Sequence, residues 1–459
     1  MDRFDFVVIG AGAAGEAAAY EALAHGRTVA VVDKELFGGS CSFWACVPSK
    51  ALLHSASEHL HGSYSWQRAS DRRDYMINRE NRDWPDDSGH VRGLEGAGAR
   101  LFHGRARIAG PGLVDVAPVD PAAAPTRLAA GTIVVATGSG PTTPDIEGLA
   151  ETGPWSNREA TSTRDLPRSL VVLGGGPVGV EMSEVFARFG VAVTLVHSHD
   201  RLLDKDHPRV SEAAARILRD DGVALRLGAR AVRVRPAARS AGAHVVELSD
   251  GGRLEAERIM HALGRALAVD DLGLESLGLD ASRLPRDGRL RVGDDIYLIG
   301  DPAGPEMFTH VSHYQGEMAV RMALGESVAP DYRAIPRAVF VEPELASVGL
   351  SVDQAVAAGR DAFELVADFA TTARGYGVEA AFGHVAIVVD RRSRTLIGAS
   401  IVAPDASAAI HEAVLAIQTG TSVEVLAGVI HGFPTTPRLF GGLFKDALAE
   451  LRRGDAVPA

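Results

Sequence analysis

A chain of 459 residues is expected to hold several compact units, because single domains usually run to roughly 100–200 residues. With 46% hydrophobic residues, 23% charged residues and 50 glycines, the composition excludes a disordered or fibrous chain and indicates a globular α/β protein. A net charge of −12 gives no attraction to phosphate backbones or anionic lipid, so no nucleic-acid or membrane partner is expected and a small molecule or a protein is.

A strand pattern begins at once, from Phe4 to Ile9, with no basic segment and apolar core ahead of it. No apolar run approaches the ~20 residues that cross a bilayer, and the expected location is cytoplasmic. The strand runs into Gly10, Gly12, Ala14 and Gly15, and an Ala-rich helix follows to about His25. A second strand, Thr28 to Val32, ends at Asp33. Strand, glycine turn, helix, strand and acid in this order form an ADP-binding βαβ unit. In such a unit Gly10 makes the turn, Gly12 admits the pyrophosphate to the backbone, and Gly15 lets the helix pack on the strand. The helix N–H groups then face the anion, and Asp33 accepts from a ribose.

Next comes Gly38-Gly39-Ser40-Cys41-Ser-Phe43-Trp44-Ala-Cys46-Val-Pro48-Ser49-Lys50, which holds both cysteines of the chain. A secreted disulfide scaffold would need more pairs spread along the sequence, so this spacing indicates chemistry. Cysteines at i and i+5 close a small disulfide if the chain turns between them. A helix starting near Pro48 places Cys46 at its positive end, close to Lys50, where a thiolate is stabilised. The alternative is two buried thiols brought together by accident.

Thr132 to Ala136 reads as a buried strand ending in Thr137-Gly138. A second dinucleotide unit follows: strand Ser169 to Leu173, turn Gly174, Gly176 and Gly179, helix Val180 to Phe189, and strand Ala192 to Val196. Two such units mean two dinucleotides, or one dinucleotide and a paralogous relic, and two cofactors are the commoner design for a hydride relay. The second strand ends in His197, His199 and Arg201 rather than an acid, so a 2′-phosphate is accommodated and NADPH is preferred over NADH. Ile296 to Ile299 is another strand, with Gly300-Asp301 at its carboxyl end. From about Pro330 the pattern changes to strands Ala338 to Val341, His384 to Val389 and Leu396 to Val402, with a helix from about Ser407 to Thr419, an α+β module for packing against another chain. The tail after Leu451 is polar and expected to fray. Neither His54, His59 and His61 nor His310 and His313 have the spacing and partners of a metal site, and none is expected.

The Cys-x4-Cys-x-Pro-Ser-Lys run behind the first glycine turn and Asp33 resembles the pyridine nucleotide-disulfide oxidoreductase family of dihydrolipoamide dehydrogenase, glutathione reductase and mercuric reductase. Ala136-Thr137-Gly138, the second turn with Glu181, Gly264-Arg265, Gly300-Asp301 and Val339-Phe-Val-Glu-Pro-Glu-Leu-Ala-Ser-Val-Gly349 extend the resemblance over nearly the whole chain. It implies an FAD-binding region at 1–145, an NAD(P)-binding domain at 146–265, a central FAD-binding region at 266–330, and an interface domain of a homodimer at 331–459. NAD(P)H would reduce FAD, and FAD would open a Cys41–Cys46 disulfide. Cys46 would be the charge-transfer sulfur and Cys41 the interchange sulfur. Lys50 and Glu181 match the family's ion pair near the flavin, and Asp301 matches the residue holding the ribityl chain. Thr309-His310 opens a helix whose dipole stabilises negative charge on the reduced flavin.

Two departures bear on the reaction. The family's His–Glu dyad, a general base reaching over from the partner subunit, aligns here with Phe433 and Arg438 in His431-Gly-Phe433-Pro434-Thr435-Thr-Pro-Arg438, and neither moves a proton at neutral pH. His431, two residues earlier, is the remaining candidate base. Phe43-Trp44, where the family has small residues, is expected to narrow access to Cys41 or to offer an aromatic platform to a flat acceptor. A C-terminal cysteine pair for metal delivery is lacking. Three functions stay open: reduction of a disulfide or thiol-reactive acceptor through Cys41–Cys46, flavin-based reduction of quinones or other small acceptors, and a non-catalytic redox sensor.

Overall fold

A computed structural model describes residues 1–455 apart from 81–82, 143, 238–241 and 287. Its strands form three principal sheets, two small ones, and helices around them. In the first sheet, Asp2–Ile9 lies between Val29–Asp33 and Thr126–Val135, all parallel, with Arg100–Gly110 and Ile296–Leu298 flanking them in parallel. The apolar runs are explained by this position: Val7, Val8, Val31 and Val134 are wholly buried because helices cover the strands, as parallel sheets require. The far half of Arg100–Gly110 leaves the parallel core and pairs antiparallel with Leu113–Pro118, a hairpin not expected from the sequence.

The second sheet is parallel as well, in the order Arg258–His261, Ser169–Leu173, Ala192–His197, Ala224–Leu227, with a three-stranded antiparallel meander beside it. The two glycine turns share one geometry. A Cβ at Gly15 would fall 1.8 Å from the Gly10 carbonyl oxygen, and one at Gly179 would fall 1.9 Å from that of Gly174. Gly10 and Gly174 have φ of +102° and +114°, in the left-handed region glycine tolerates. Both helices, Ala13–Ala24 and Pro177–Arg188, therefore seat hard on their strands with N–H groups facing outward.

The third sheet has five antiparallel strands in the order Pro336–Val339, Glu344–Gly349, Thr395–Ala403, His384–Asp390, Ala362–Asp368. The expected helix over 407–419 is broken into Ala406–Ala409 and His411–Thr419. The C-terminal helix Arg438–Asp455 continues through the segment expected to fray, and residues 456–459 lie outside the described residues. Among the described residues no helix is long and apolar enough to cross a membrane.

The second and third modules are clamped by Arg188, which pairs with Glu184 at 3.0 Å, Asp221 at 3.1 Å and Glu342 at 2.8 Å. Glu184 also accepts the Glu342 N–H at 2.9 Å. Replacing Arg188 with Met leaves three carboxylates clustered without a counter-charge, and is expected to lower stability by about 3–5 kcal/mol, measured by denaturant unfolding of the cofactor-bound protein. A loss under about 1 kcal/mol would mean that solvent screens this cluster like a surface pair.

Candidate active site

One cavity of about 1260 Å³ runs from Asp33 past the cysteines to Gly176 and Asp204. The cysteine loop reaches it because Gly38 and Gly39 both take positive φ, and the Gly38 N–H donates to the Ala11 carbonyl at 2.8 Å. A Cβ at Gly39 would stand 2.6 Å from the Gly12 Cα, so the loop is pressed against the first dinucleotide turn. Helix Cys46–Leu60 starts at Cys46 itself, two residues before the expected start, which sets this sulfur at the positive helix end.

Both cysteines are thiols in this structure. The Thr309 hydroxyl lies between them, 3.3 Å from Cys46 Sγ and 3.2 Å from Cys41 Sγ. Thr309 was expected only as a helix opener toward the flavin. Its contact with both sulfurs depends on helix Thr309–Ala323 packing on Ala13–Ala24, so close that a Cβ at Gly316 would meet the Ala14 carbonyl at 2.5 Å. The Cys41 S–H, Thr309 and the Lys50 ammonium hold Cys46 well below the ordinary thiol range, while donation to Cys46 and burial push Cys41 up. The pair is thus polarised, with the negative charge on Cys46.

Four residues beyond Cys46 on the same helix, Lys50 Nζ donates to both oxygens of the buried Glu181, at 3.0 and 2.8 Å. Glu181 also accepts the Phe340 N–H at 3.1 Å, and the Phe340 ring covers the ammonium at 4.6 Å. Asp301 is held by the Ser139 hydroxyl and by Arg265, whose Nε lies 3.4 Å away. Asp33 accepts N–H groups of Ala11 and Glu35 at 2.7 and 2.8 Å, at the far end of the cavity. His310 donates to the Pro336 carbonyl and stacks on Phe308, and burial lowers its pKa.

The residues fit a flavin dinucleotide. Gly10, Gly12, Ala14, Gly138, Gly264 and Gly300 form cavity wall, Thr137 Oγ1 is buried there without a hydrogen-bond partner, and no atom occupies the space beside Gly138. At the second turn, His197 Nδ1 accepts the Gly175 N–H at 3.1 Å, and His199 Nδ1 lies 3.1 Å from Asp204. Arg201 donates to the Asp204 carbonyl at 2.6 Å. Sequence reasoning missed Asp204, seven residues beyond the strand. The atoms of His197, His199 and Asp204 are close enough to hold a cation. With the Gly175 N–H on Nδ1, however, the ring proton sits on Nε2, which is therefore a donor.

The interface loop carries His431, Phe433 and Arg438. His431 donates from Nε2 to Glu412 at 2.8 Å, is 6% exposed, and lies so flat on the C-terminal helix that a Cβ at Gly441 would come within 2.6 Å of its Nδ1. Both ring nitrogens face its own subunit. Phe433 is 69% exposed, with the Arg438 guanidinium 5.2 Å from its ring centre. Phe43 and Trp44, only 2% and 4% exposed, pack with Leu36 and Ile77 in a small core; Trp44 also lines the cavity beside the cysteines, and Phe43 does not.

Residues 4–316 match the family model of the pyridine nucleotide-disulphide oxidoreductases, and 335–441 match that family's dimerisation domain. The chain belongs to this family. It is 32% identical to the dihydrolipoyl dehydrogenase of Halobacterium salinarum over 94% of this chain and 93% of that protein. The HOCl-induced flavoprotein disulfide reductase RclA from Escherichia coli, solved as its Cu(II) complex, matches with a TM-score of 0.86 at 25% identity over 97% of this chain and 99% of that one. LpdA from Mycobacterium tuberculosis matches with a TM-score of 0.85 at 27% identity, over 98% and 100%. As a pyridine nucleotide-disulphide oxidoreductase, the protein is an FAD-dependent enzyme that carries electrons between a pyridine nucleotide and the Cys41–Cys46 pair, and its dimerisation domain makes it a homodimer.

The polarised pair generates a test. Titrating the reduced protein by thiolate ultraviolet absorbance, with Cys46→Ser as blank, is expected to show one thiolate forming near pH 6, in place of the ordinary value of about 8.5. Thr309→Val and Lys50→Met should each move that midpoint upward, the first by removing a donor and the second a cation. A midpoint unmoved in both variants would refute the assignment.

Proposed function

We propose that the enzyme oxidises NADPH in preference to NADH and reduces a small disulfide or thiol-reactive acceptor through Cys41–Cys46, slowly for disulfides because no protein base serves Cys41. The observation that carries this reading is the polarised sulfur pair beside Thr309 and Lys50, combined with an interface loop that presents Phe433. On this reading residues 1–145 and 266–330 hold the flavin, 146–265 the nicotinamide dinucleotide, and 331–459 the dimer interface. The return of Ile296–Leu298 to the first sheet supports the split flavin region.

FAD, when bound, supplies the two-electron chemistry between nucleotide and disulfide. Gly10, Gly12, Ala14 and Gly15 with the helix N–H groups hold its pyrophosphate, Asp33 a ribose, and Asp301 with Arg265 the ribityl chain. Gly174, Gly176 and Gly179 hold the second pyrophosphate. Lys50 is oriented by Glu181 and contacts the Phe340 ring. The Cys41 thiolate attacks an acceptor sulfur and expels the first thiol. Cys46 then attacks Cys41, closes the intramolecular disulfide and expels the second thiol. Cys41 must first lose a proton that burial and the bond to Cys46 make it hold. His431, bonded through Nε2 to Glu412 of its own subunit, is a latch for the loop rather than the base. Metal ions belong among the acceptors tested, since RclA was solved with Cu(II).

A second reading, reduction of quinones by the flavin, is favoured by the exposed Phe433 and by Arg438. Electron transfer to a quinone needs no thiol exchange base. NADPH and NADH oxidation should be followed with disulfides, quinones and metal ions in wild type, Cys46→Ser and Cys41→Ser. Thiol-reactive acceptors should lose turnover in both variants, and quinones should keep it. Phe433→His with Arg438→Glu should raise disulfide turnover, up to the ~10²–10⁴-fold that general base catalysis supplies. Unchanged disulfide or metal-ion turnover in both cysteine variants would sink the first reading.

The nucleotide preference rests on His197 and Arg201 as donors, with Asp204 opposing them. His197→Glu is expected to reverse the NADPH:NADH ratio of kcat/KM, and Asp204→Asn to raise it, each by about tenfold, equivalent to ~1.4 kcal/mol. A wild type that strongly favours NADH would refute the preference.

A further inference from the structure

The loop beyond the second glycine turn is held by the third module. Buried Leu203, at φ +49° in a region that leucine rarely adopts, donates its N–H to the Gly175 carbonyl at 2.9 Å, which ties the loop to the turn. Arg337 Nη1 donates to the Lys205 carbonyl at 2.9 Å and lies 3.9 Å from Asp206, and the Ser347 hydroxyl donates to the same Asp206 oxygen at 3.0 Å. Arg337 and Ser347 are cross-strand partners, so both side chains leave the sheet on one face. The other arm of Arg337, Nη2, donates to Glu306. Glu306 opens the short segment that carries Thr309, and His310 at its far end donates to the Pro336 carbonyl. Thr309, between the two sulfurs, is thus bracketed by two contacts with neighbouring residues of one strand. Part-exposed ion pairs are common and contribute little by themselves. Here one guanidinium is divided between two segments, one from each end of the redox path, and Arg337 lines the large cavity together with Gly176, Pro177 and Asp206.

We infer that Arg337 is a positioning residue that couples occupation of the second dinucleotide turn to the state of Cys46. The inference rests on the reading of Gly174, Gly176 and Gly179 as the nicotinamide dinucleotide site. The charged groups around Arg337 are Glu306, Asp206 and, behind Asp206, Asp204. Phosphate groups of the dinucleotide compete with Glu306 for the guanidinium fork. As Glu306 is released, the segment leading to Thr309 slackens, its hydroxyl holds Cys46 Sγ less firmly, and the thiolate is less stabilised. Cys41, Lys50 and Glu181 also face this sulfur, and the Lys50–Glu181 pair stays in place because Phe340 rather than Arg337 holds it. A thiol attacks fastest when its pKa lies near ambient pH, and this change moves Cys46 toward that condition. In the closing step Cys46 Sγ attacks Cys41 Sγ of the mixed disulfide: the Cys46–Cys41 bond forms, the bond to the acceptor sulfur breaks, and the acceptor leaves as a thiolate that takes a solvent proton. Closure is therefore faster when the next nucleotide is already in place.

The chain has only two cysteines, so carbon-13 at cysteine Cβ gives two resonances in the cofactor-bound dimer with reduced thiols, and Cys46→Ser assigns them. The probe is 2′-phospho-ADP-ribose, which carries the phosphates without a reducible ring, with ADP-ribose in parallel. Saturating probe is expected to raise the Cys46 ionisation midpoint of wild type by about 0.7 pH unit, the fivefold lower end of ordinary coupling between sites. In Arg337→Gln and in Glu306→Gln the midpoint should already be raised without probe, and adding probe should move it by less than half as much. Glu306→Gln is the deciding variant. Loss of a negative charge acting only through space would lower the midpoint, whereas loss of the tether raises it. This variant should also bind the probe at least as tightly as wild type, since the competitor for Arg337 is gone, a result that misfolding cannot produce. An equal shift in wild type and both variants, no shift in wild type with probe bound, or a lowered midpoint in Glu306→Gln overturns the inference alone. Binding of neither probe by wild type sinks the reading of the second turn, and the inference with it.

Discussion

The carboxylate of Glu181 is where the three modules of this enzyme meet. It projects from helix Pro177–Arg188 of the second module, accepts two hydrogen bonds from Lys50 of the first, and accepts the Phe340 N–H of the third. A buried carboxylate left without partners is costly, and removing one member of a buried ion pair typically costs about 3–5 kcal/mol. The arrangement of the three modules is therefore also the arrangement that satisfies this group. Lys50 is consequently held at one place beside the sulfurs, under the Phe340 ring, whenever the molecule is folded.

From that anchor the chemistry of the cysteines follows. Cys46 and Lys50 lie one helical turn apart, so fixing the lysine also fixes the helix end on which the thiolate sits. Thr309 arrives from a helix that packs against the first glycine-turn helix with a glycine at the crossing, and it contacts both sulfurs. The outcome is an unequal pair: a stabilised thiolate inside and a proton-holding thiol next to it. Such a pair stores reducing equivalents readily, but it releases them to a disulfide only when something removes the Cys41 proton.

On the proposed function, the interface loop decides what can accept those equivalents. His431 stays with Glu412 and Gly441 in its own subunit, while Phe433 and Arg438 occupy the outward positions. An aromatic ring and a permanent cation bind and orient a ligand, but they do not shuttle protons. The relatives that this chain resembles include a dihydrolipoyl dehydrogenase and a flavoprotein disulfide reductase. On the proposed function, the loop is where this chain's chemistry separates from theirs.

Much was legible in the sequence because its signals are local. The two glycine turns, the spacing of Cys41 and Cys46, and the strand that leads into each turn are short-range patterns set by backbone sterics, and they appear in the structure within a residue or two. The Lys50–Glu181 pair, 131 positions apart, was legible only through family resemblance. What the sequence by itself determined was two dinucleotide turns, a reactive cysteine pair and the absence of a base at 433. What only the tertiary structure decided was the side-chain environment. Thr309 reaches sulfurs 263 and 268 positions away, Phe340 lies over Lys50, Asp204 turns back toward His199, Phe43 packs into a small core, and His431 bonds to Glu412. Those outcomes depend on how helices and loops distant in sequence pack against one another, and no local pattern of residue types encodes the direction in which a side chain leaves its backbone.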